Sequence, residues 1–220
     1  MSLREDINEL QNAYPRLSVA PSINDSIFIR GVIDFSRTSK GTNPIVDSYQ
    51  LLIEVPSDFP KSLPIVKEIG NKIPKKSDFH INSDGTLCLG SPLKLLLHIF
   101  NNPNLIRFVE DLLIPFLYQV SNKLKGGEFI LGELEHGVVG EISDYEDIFG
   151  VNGALAIKNT LLALSCKKRT SNKMACPCGC GARLGCCKFH YKLNSLRKAL
   201  NRKVYKKILN EFNKRLSQIQ

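Results

Sequence analysis

No stretch of the 220-residue sequence approaches the roughly eighteen consecutive apolar residues that a membrane-spanning helix needs. A signal peptide is not expected either, because residues 1–6 (MSLRED) are too polar to begin one. The sequence also lacks internal repeats, low-complexity tracts and a glycine-rich nucleotide loop. These absences predict a cytoplasmic protein that has no membrane partner and no adenylating domain of its own.

Acidic residues are scarce in the last quarter of the chain. Residues 167–220 contain 15 Lys or Arg and a single acid, Glu211, which gives a net charge of +14. Residues 1–166 contain 15 Lys or Arg and 20 acids, a net charge of −5, and the whole chain carries +9. Such a division indicates two bodies with different electrostatic roles. We predict a domain at 1–165 and a smaller module at 166–220.

The cysteines do not have the distribution of a disulfide framework, which a reducing compartment would in any case disfavour. Five of the seven lie between Cys176 and Cys187, and only Cys88 and Cys166 stand apart. Crowding of this kind is typical of a metal site.

The hydrophobic pattern favours an α+β fold. A capping box at residues 2–5 predicts an N-terminal helix, and β-branched and aromatic runs predict strands. A period near 3.6 predicts a core helix, in which Pro115 should cause a kink or a division. An acidic loop is expected as far as Asp147. The predicted strands are 27–35, 49–55 and 65–69; the predicted helices after Pro103 are 105–124, 153–166 and one amphipathic basic helix from 192 onward.

Cys88 follows a polar, glycine-broken turn in residues 79–87, with His80 eight residues before it. A thiol at the end of such a turn has what acyl transfer through a thioester requires, namely a nucleophile, a nearby polar group and access. The alternative is a small apolar cysteine that packs in a core.

Two segments carry a resemblance to a known family. Val55–Val66 (VPSDFPKSLPIV) is similar to the Tyr-Pro-Phe-x-x-Pro segment of ubiquitin-conjugating enzymes, and His80–Leu89 (HINSDGTLCL) to their His-Pro-Asn…Gly-x-x-Cys-Leu segment. The resemblance covers roughly residues 1–165. It implies a UBC-like antiparallel sheet of about four strands with flanking helices. It also implies that Cys88 takes a ubiquitin-like carboxy terminus as a thioester and passes it to an amine.

The residues that would assist Cys88 in catalysis are less well defined. Ile81 replaces the family's proline, and the interval from His80 to Cys88 is two residues shorter than usual in the family. Asn82 fits either the family's oxyanion-steadying asparagine or a residue that forms the turn. The resemblance favours a structural role for His80. His136 lies in an acidic loop that either folds back near the thiol or stays solvated.

The short turn and the complete lack of tryptophan set the chain apart from eukaryotic conjugating enzymes. It resembles instead the bacterial relatives found in antiphage operons of the CBASS type. That resemblance implies, as partner, the carboxy terminus of a cGAS-like nucleotidyltransferase or of a ubiquitin-like protein. A separate activating enzyme is implied wherever the chemistry needs one.

Residues 176–190 (CPCGCGARLGCCKFH) resemble the SEC-C zinc motif, with one residue fewer between the paired ends. A structural zinc is expected because four thiolate or imidazole ligands leave no open position. The expected ligands are Cys176, Cys178 and Cys187, with Cys186 or His190 as the fourth and Cys180 as the spare. Crowded thiols or a redox switch are the alternative.

The basic helix of the C-terminal module has an apolar stripe surrounded by lysine and arginine. Its charges form a solvated face or engage an acidic protein surface or nucleic acid, of which nucleic acid is the less favoured partner. Two alternative functions follow from the sequence. One is a non-catalytic scaffold of the same fold, and the other is an adaptor that acts through the zinc motif and the basic tail.

Overall fold

The computed structural model describes residues 2–22, 25–38, 44–127 and 138–218, and the chain divides into two compact units. The first unit comprises Met1–Leu89 and Asn101–His136, and the second comprises Gly90–Phe100 and Gly137–Gln220. The second unit thus includes residues before the predicted boundary at 165, and the division into domains 1–165 and 166–220 stays a prediction.

The first unit is built on a sheet. Its four described strands are antiparallel and follow the order of the sequence: β1 (Leu17–Ala20), β2 (Ile27–Arg37), β3 (Ile45–Val55) and β4 (Ile65–Glu68). Alternate residues of β3, including Tyr49, Leu51 and Ile53, are buried, as the period of a half-buried strand requires. The prediction of an α+β fold with about four antiparallel strands is confirmed.

Three helices accompany this sheet in the described part of the first unit: α1 (Leu3–Ala13), α3 (Leu105–Phe108) and α4 (Ile114–Leu124). The predicted capping box is present at the start of α1. The predicted division of the core helix is also confirmed, because a π-helical turn at Val109–Leu113 separates α3 from α4. Pro115 lies in the first turn of α4, where its missing N–H costs no helical hydrogen bond.

The second unit is mainly helical in its described residues. Its helices are α2 (Pro92–Asn101, all but its last residue), α5 (Val138–Phe149), α6 (Ala154–Ser165), α7 (Lys168–Ser171), α8 (Phe189–Ala199) and α9 (Arg202–Ser217). The prediction of an acidic loop as far as Asp147 is wrong from residue 138 onward, because α5 covers these residues.

The single basic helix predicted from residue 192 is also wrong. The chain breaks between α8 and α9, where the side chain of Asn201 accepts hydrogen bonds from the N–H groups of Lys203 at 2.9 Å and Val204 at 3.2 Å. Asparagine is a favoured helix N-cap, so α9 begins anew at this residue. The apolar stripe concealed the break because the apolar spacing of three or four residues continues across it.

No single helix of the described ranges is long and apolar enough to cross a membrane. Together α5 and α6 meet the length and composition requirement, but they are bent by 60° at their junction.

A buried polar network ties α4 to the sheet of the first unit. The hydroxyl of Tyr49 lies 2.7 Å from Ser121 Oγ, and Ser121 Oγ donates to Asp47 Oδ2 at 2.7 Å. The ammonium group of Lys72 pairs with Asp47 and lies 4.3 Å from the centre of the Tyr49 ring. Burial raises the pKa of Asp47, but hydrogen bonds from Lys72, Ser121 and the Ser48 backbone outweigh this and hold it below its usual value.

The lowered pKa of Asp47 predicts an acid-sensitive contribution to stability. A carboxyl whose pKa is lower in the folded state than in the unfolded state stabilises the folded protein. The contribution is complete at a pH above the unfolded-state pKa, near 3.8, and is lost as the pH falls through the folded-state pKa. We expect the free energy of unfolding of Asp47→Asn to fall less between about pH 5 and pH 2 than that of the wild type. Urea denaturation over this range measures it. An equally steep pH dependence in the variant would contradict the prediction.

Candidate functional site

Cys88 lies at the end of a small hairpin formed by residues 80–88. Ile81 pairs with Leu87, and the N–H of Cys88 donates to the carbonyl of His80 at 2.8 Å. The N–H of Leu87 donates to the carbonyl of Val66 at 2.8 Å, which attaches the hairpin to β4. As a residue, Cys88 is half-buried.

His80 faces Cys88 across the hairpin through its backbone. Its φ is +54°, a left-handed conformation that costs on the order of 1 kcal/mol in a residue with a side chain. The hydrogen bond from the Cys88 N–H holds this conformation, and the histidine is 8% exposed. This backbone hydrogen bond is a structural contact, and a catalytic role for His80 stays a prediction.

Asn82 belongs to the turn of the hairpin. Its side-chain nitrogen donates to Thr86 Oγ1 at 2.9 Å, while Asp84 Oδ1 accepts from the N–H of Thr86 at 3.0 Å and from its hydroxyl at 2.6 Å. The Thr86 side-chain and backbone hydrogen bonds lower the pKa of Asp84. Of the two roles left open for Asn82, this geometry favours the turn. His136 lies outside the described residues, so its approach to Cys88 stays a prediction.

The cysteine cluster is built on a second hairpin. Ala175 pairs with Arg183, and the N–H of Cys176 donates to the carbonyl of Ala182 at 2.8 Å. Gly179 and Gly181 have φ values of +80° and +77°, which a side chain would disfavour. These two positions turn the backbone tightly enough to bring cysteines close together in space.

Four sulfurs meet at this hairpin, those of Cys176, Cys178, Cys180 and Cys187, and all lie within 4.8 Å of one another. The Sγ atoms of Cys176 and Cys178 are 3.2 Å apart, and those of Cys178 and Cys187 are 3.7 Å apart. A tetrahedral ion with bonds of about 2.3 Å to sulfur sets its ligands roughly 3.8 Å apart. The four thiols can therefore hold a metal ion with small adjustments.

The predicted ligand set needs one correction, because Cys180 is part of this group and neither Cys186 nor His190 is. Cys186 ends a short 3₁₀ helix and is exposed. The Nδ1 atom of His190 lies 2.7 Å from the carbonyl oxygen of Cys187, to which it donates in the matching tautomer. The alternation of cysteine and glycine in residues 178–181 was the signal for Cys180.

Thiol acidity differs within the cluster. Burial raises the pKa of Cys176, whereas a hydrogen bond from Cys176 lowers the pKa of Cys178 to about 7. The backbone N–H of Phe189 lies 3.4 Å from the Cys187 sulfur. The thiolate is the form of cysteine that binds a metal, so the lowered pKa of Cys178 favours metal binding.

The cluster is anchored in the second unit by backbone and apolar contacts. Leu184 is fully buried, and its N–H donates to the carbonyl of Met174 at 2.9 Å. In α8, the guanidinium of Arg197 donates to the carbonyl of Ala163 at 2.9 Å and to Ser171 Oγ at 2.7 Å. The cysteine hairpin and the helices after it therefore form one packed structure with α6.

Comparison with known proteins gives no relative for this chain. No family model, no curated protein and no solved structure matches it.

Proposed function

We propose that the protein is a cysteine-dependent acyl transferase of the ubiquitin-conjugating type, with Cys88 as the acyl carrier. The Cys88 thiolate attacks the carbonyl carbon of an activated protein carboxy terminus and displaces its leaving group. An acceptor amine then attacks the thioester, the Cys88 sulfur leaves, and the amine loses a proton as the amide forms. A thioester conserves the activation energy that this second step needs.

The observation that carries this proposal is the position of Cys88. The hairpin fixes its backbone through the His80 carbonyl and through β4, and the residue is half-buried. A fixed backbone and incomplete burial suit a nucleophile, whereas a core cysteine is fully buried. The antiparallel sheet and the helices after it agree with the fold that the resemblance implies.

The partners follow from the same proposal. The acyl group comes from the carboxy terminus of a cGAS-like nucleotidyltransferase, or of a ubiquitin-like protein, in cytoplasmic antiphage defence. Where the carboxy terminus needs activation, a separate activating enzyme supplies it.

A non-catalytic scaffold of the same fold is the second candidate, and one observation favours it. The side-chain nitrogen of Asn82 donates to Thr86 Oγ1 within the turn. This hydrogen bond does not stabilise an oxyanion. In a scaffold, Cys88 would be a packing residue only.

For the cysteine cluster we infer a structural zinc held by Cys176, Cys178, Cys180 and Cys187. Zinc prefers four sulfur or nitrogen ligands in a tetrahedron, and four thiolates leave no position for a substrate. Its role is to stabilise the cysteine hairpin, which precedes α8 and α9 in the sequence.

The acyl-carrier proposal predicts a covalent adduct that depends on residue 88. Tagged full-length protein, purified from its native host at low pH without reductant, should carry a protein adduct that dithiothreitol releases. Cys88→Ala should lose the adduct, and Cys88→Ser should carry one that resists dithiothreitol, because an oxyester is not cleaved by thiols. Non-reducing gel electrophoresis measures both.

Cys166→Ser is the matched control, since Cys166 is the other isolated cysteine and is also half-buried. It should keep the wild-type adduct. Full biological activity of Cys88→Ala with no adduct in any variant would favour the scaffold instead.

A further inference from the structure

The outer face of α9 is a row of positive charge. Lys203, Lys206, Lys207 and Lys214 are exposed, with the exposed Asn210 among them; we call these five residues the basic stripe. Their spacing of three and four residues places them on one side of the helix. The opposite side is buried and consists of Tyr205, Ile208, Leu209 and Phe212.

The packing of α9 holds the basic stripe outward. The buried side lies against α6 and α5, and Tyr145 and Phe212 have ring centres 5.7 Å apart. The Tyr205 hydroxyl donates to the Leu196 carbonyl of α8 at 2.6 Å. Because α9 is fixed on its apolar side, the lysines are presented as a rigid row and not as a disordered tail.

No exposed acid interrupts this surface within residues 167–218. The one acid of that range, Glu211, is half-buried and lies near Arg215. The same range contains further exposed cations, among them Lys188, which precedes α8, and Lys192 within α8. Positive charge at this density attracts a polyanion, and interspersed acids would have weakened that attraction.

We propose that the basic stripe binds the phosphate backbone of nucleic acid without regard to base sequence. From Lys203 to Lys214 the helix rises roughly 16 Å, which spans several phosphates of one strand. All exposed residues of α9 are polar. The core of a protein–protein interface is apolar and depleted in lysine, so the composition of the stripe disfavours a protein partner.

The test measures binding of full-length, metal-replete protein to fluorescein-labelled 24-mer DNA, as duplex and as single strand, by fluorescence anisotropy. The stripe variant replaces all four lysines by glutamine. If four phosphates are contacted, the slope of log K against log salt should become shallower by about 3 to 4 in the variant. Its affinity at low salt should fall at least about tenfold. The form bound more tightly identifies whether paired or unpaired strands are preferred.

The matched control replaces Lys61, Lys75, Lys76 and Lys125 by glutamine, which are exposed lysines of the first unit and carry the same total charge. Its affinity should stay within about twofold of the wild type. Equal losses in the two variants would overturn the proposal, since net charge alone would then explain binding. So would binding of poly-glutamate as tight as that of DNA of equal charge, or no binding of either DNA form. Circular dichroism and metal content verify that each variant is folded.

Discussion

Replacing Cys180 by serine is expected to reduce the zinc content of the purified protein from about one ion per chain to well under half. A hydroxyl is a much poorer zinc ligand than a thiolate, and the Cys180 sulfur is one of the four that lie within 4.8 Å of one another. The side chain is exposed, so the serine itself disturbs no core packing. Elemental analysis after dialysis measures the metal, and the protein should melt at a lower temperature.

Cys186→Ser is the control for this substitution. Cys186 is exposed as Cys180 is, but it lies outside the group of four sulfurs. It should keep about one zinc per chain. Loss of zinc from Cys186→Ser with retention in Cys180→Ser would contradict the ligand set and restore the one predicted from the sequence.

Replacing Arg215 by methionine is expected to lower the free energy of unfolding by about 1.5–3 kcal/mol, because Glu141 is buried while the Arg215 side chain is 35% exposed. The Nε and Nη2 atoms of Arg215 donate to the two carboxylate oxygens of Glu141, both at 2.7 Å, and Glu141 is 5% exposed. Without the Arg215 guanidinium, the buried Glu141 carboxylate loses its hydrogen-bond partner on α9, which destabilises the folded state. Urea denaturation followed by circular dichroism measures the loss.

Two further variants make this prediction specific. Arg215→Met combined with Glu141→Leu should recover much of the lost stability, because the buried carboxylate is removed together with its partner. Lys214→Met should change stability by less than about 0.5 kcal/mol, since Lys214 is exposed. A small effect of Arg215→Met alone would show that the ion pair is not a major support of the second unit.

The parts of the fold that local pattern determines were predictable. The strands of the sheet alternate buried and exposed residues, and the capping box at Ser2 and the helix division just before Pro115 are local effects. α5 was missed because its acids are matched by partners far away in sequence. Glu141 pairs with Arg215, and Asp144 accepts hydrogen bonds from Lys94 and the Ser91 backbone. Read alone, these acids indicate a solvated loop.

The candidate sites were predictable to different depths. The hairpin around Cys88 has its turn where the Asn-Ser-Asp-Gly segment placed it, but the choice of Thr86 as the partner of Asn82 depends on three-dimensional geometry. In the metal cluster, spacing identified three of the four sulfurs. The fourth depends on the direction in which Gly179 and Gly181 turn the backbone, and spacing alone does not specify that direction.

Tandem mass spectrometry of the dithiothreitol-resistant adduct on Cys88→Ser tests the acyl-carrier proposal most directly. The account predicts a peptide in which the carboxy-terminal carboxyl of a partner protein is esterified to residue 88. An adduct joined to any other residue, or none under conditions in which the wild type is active, would contradict it.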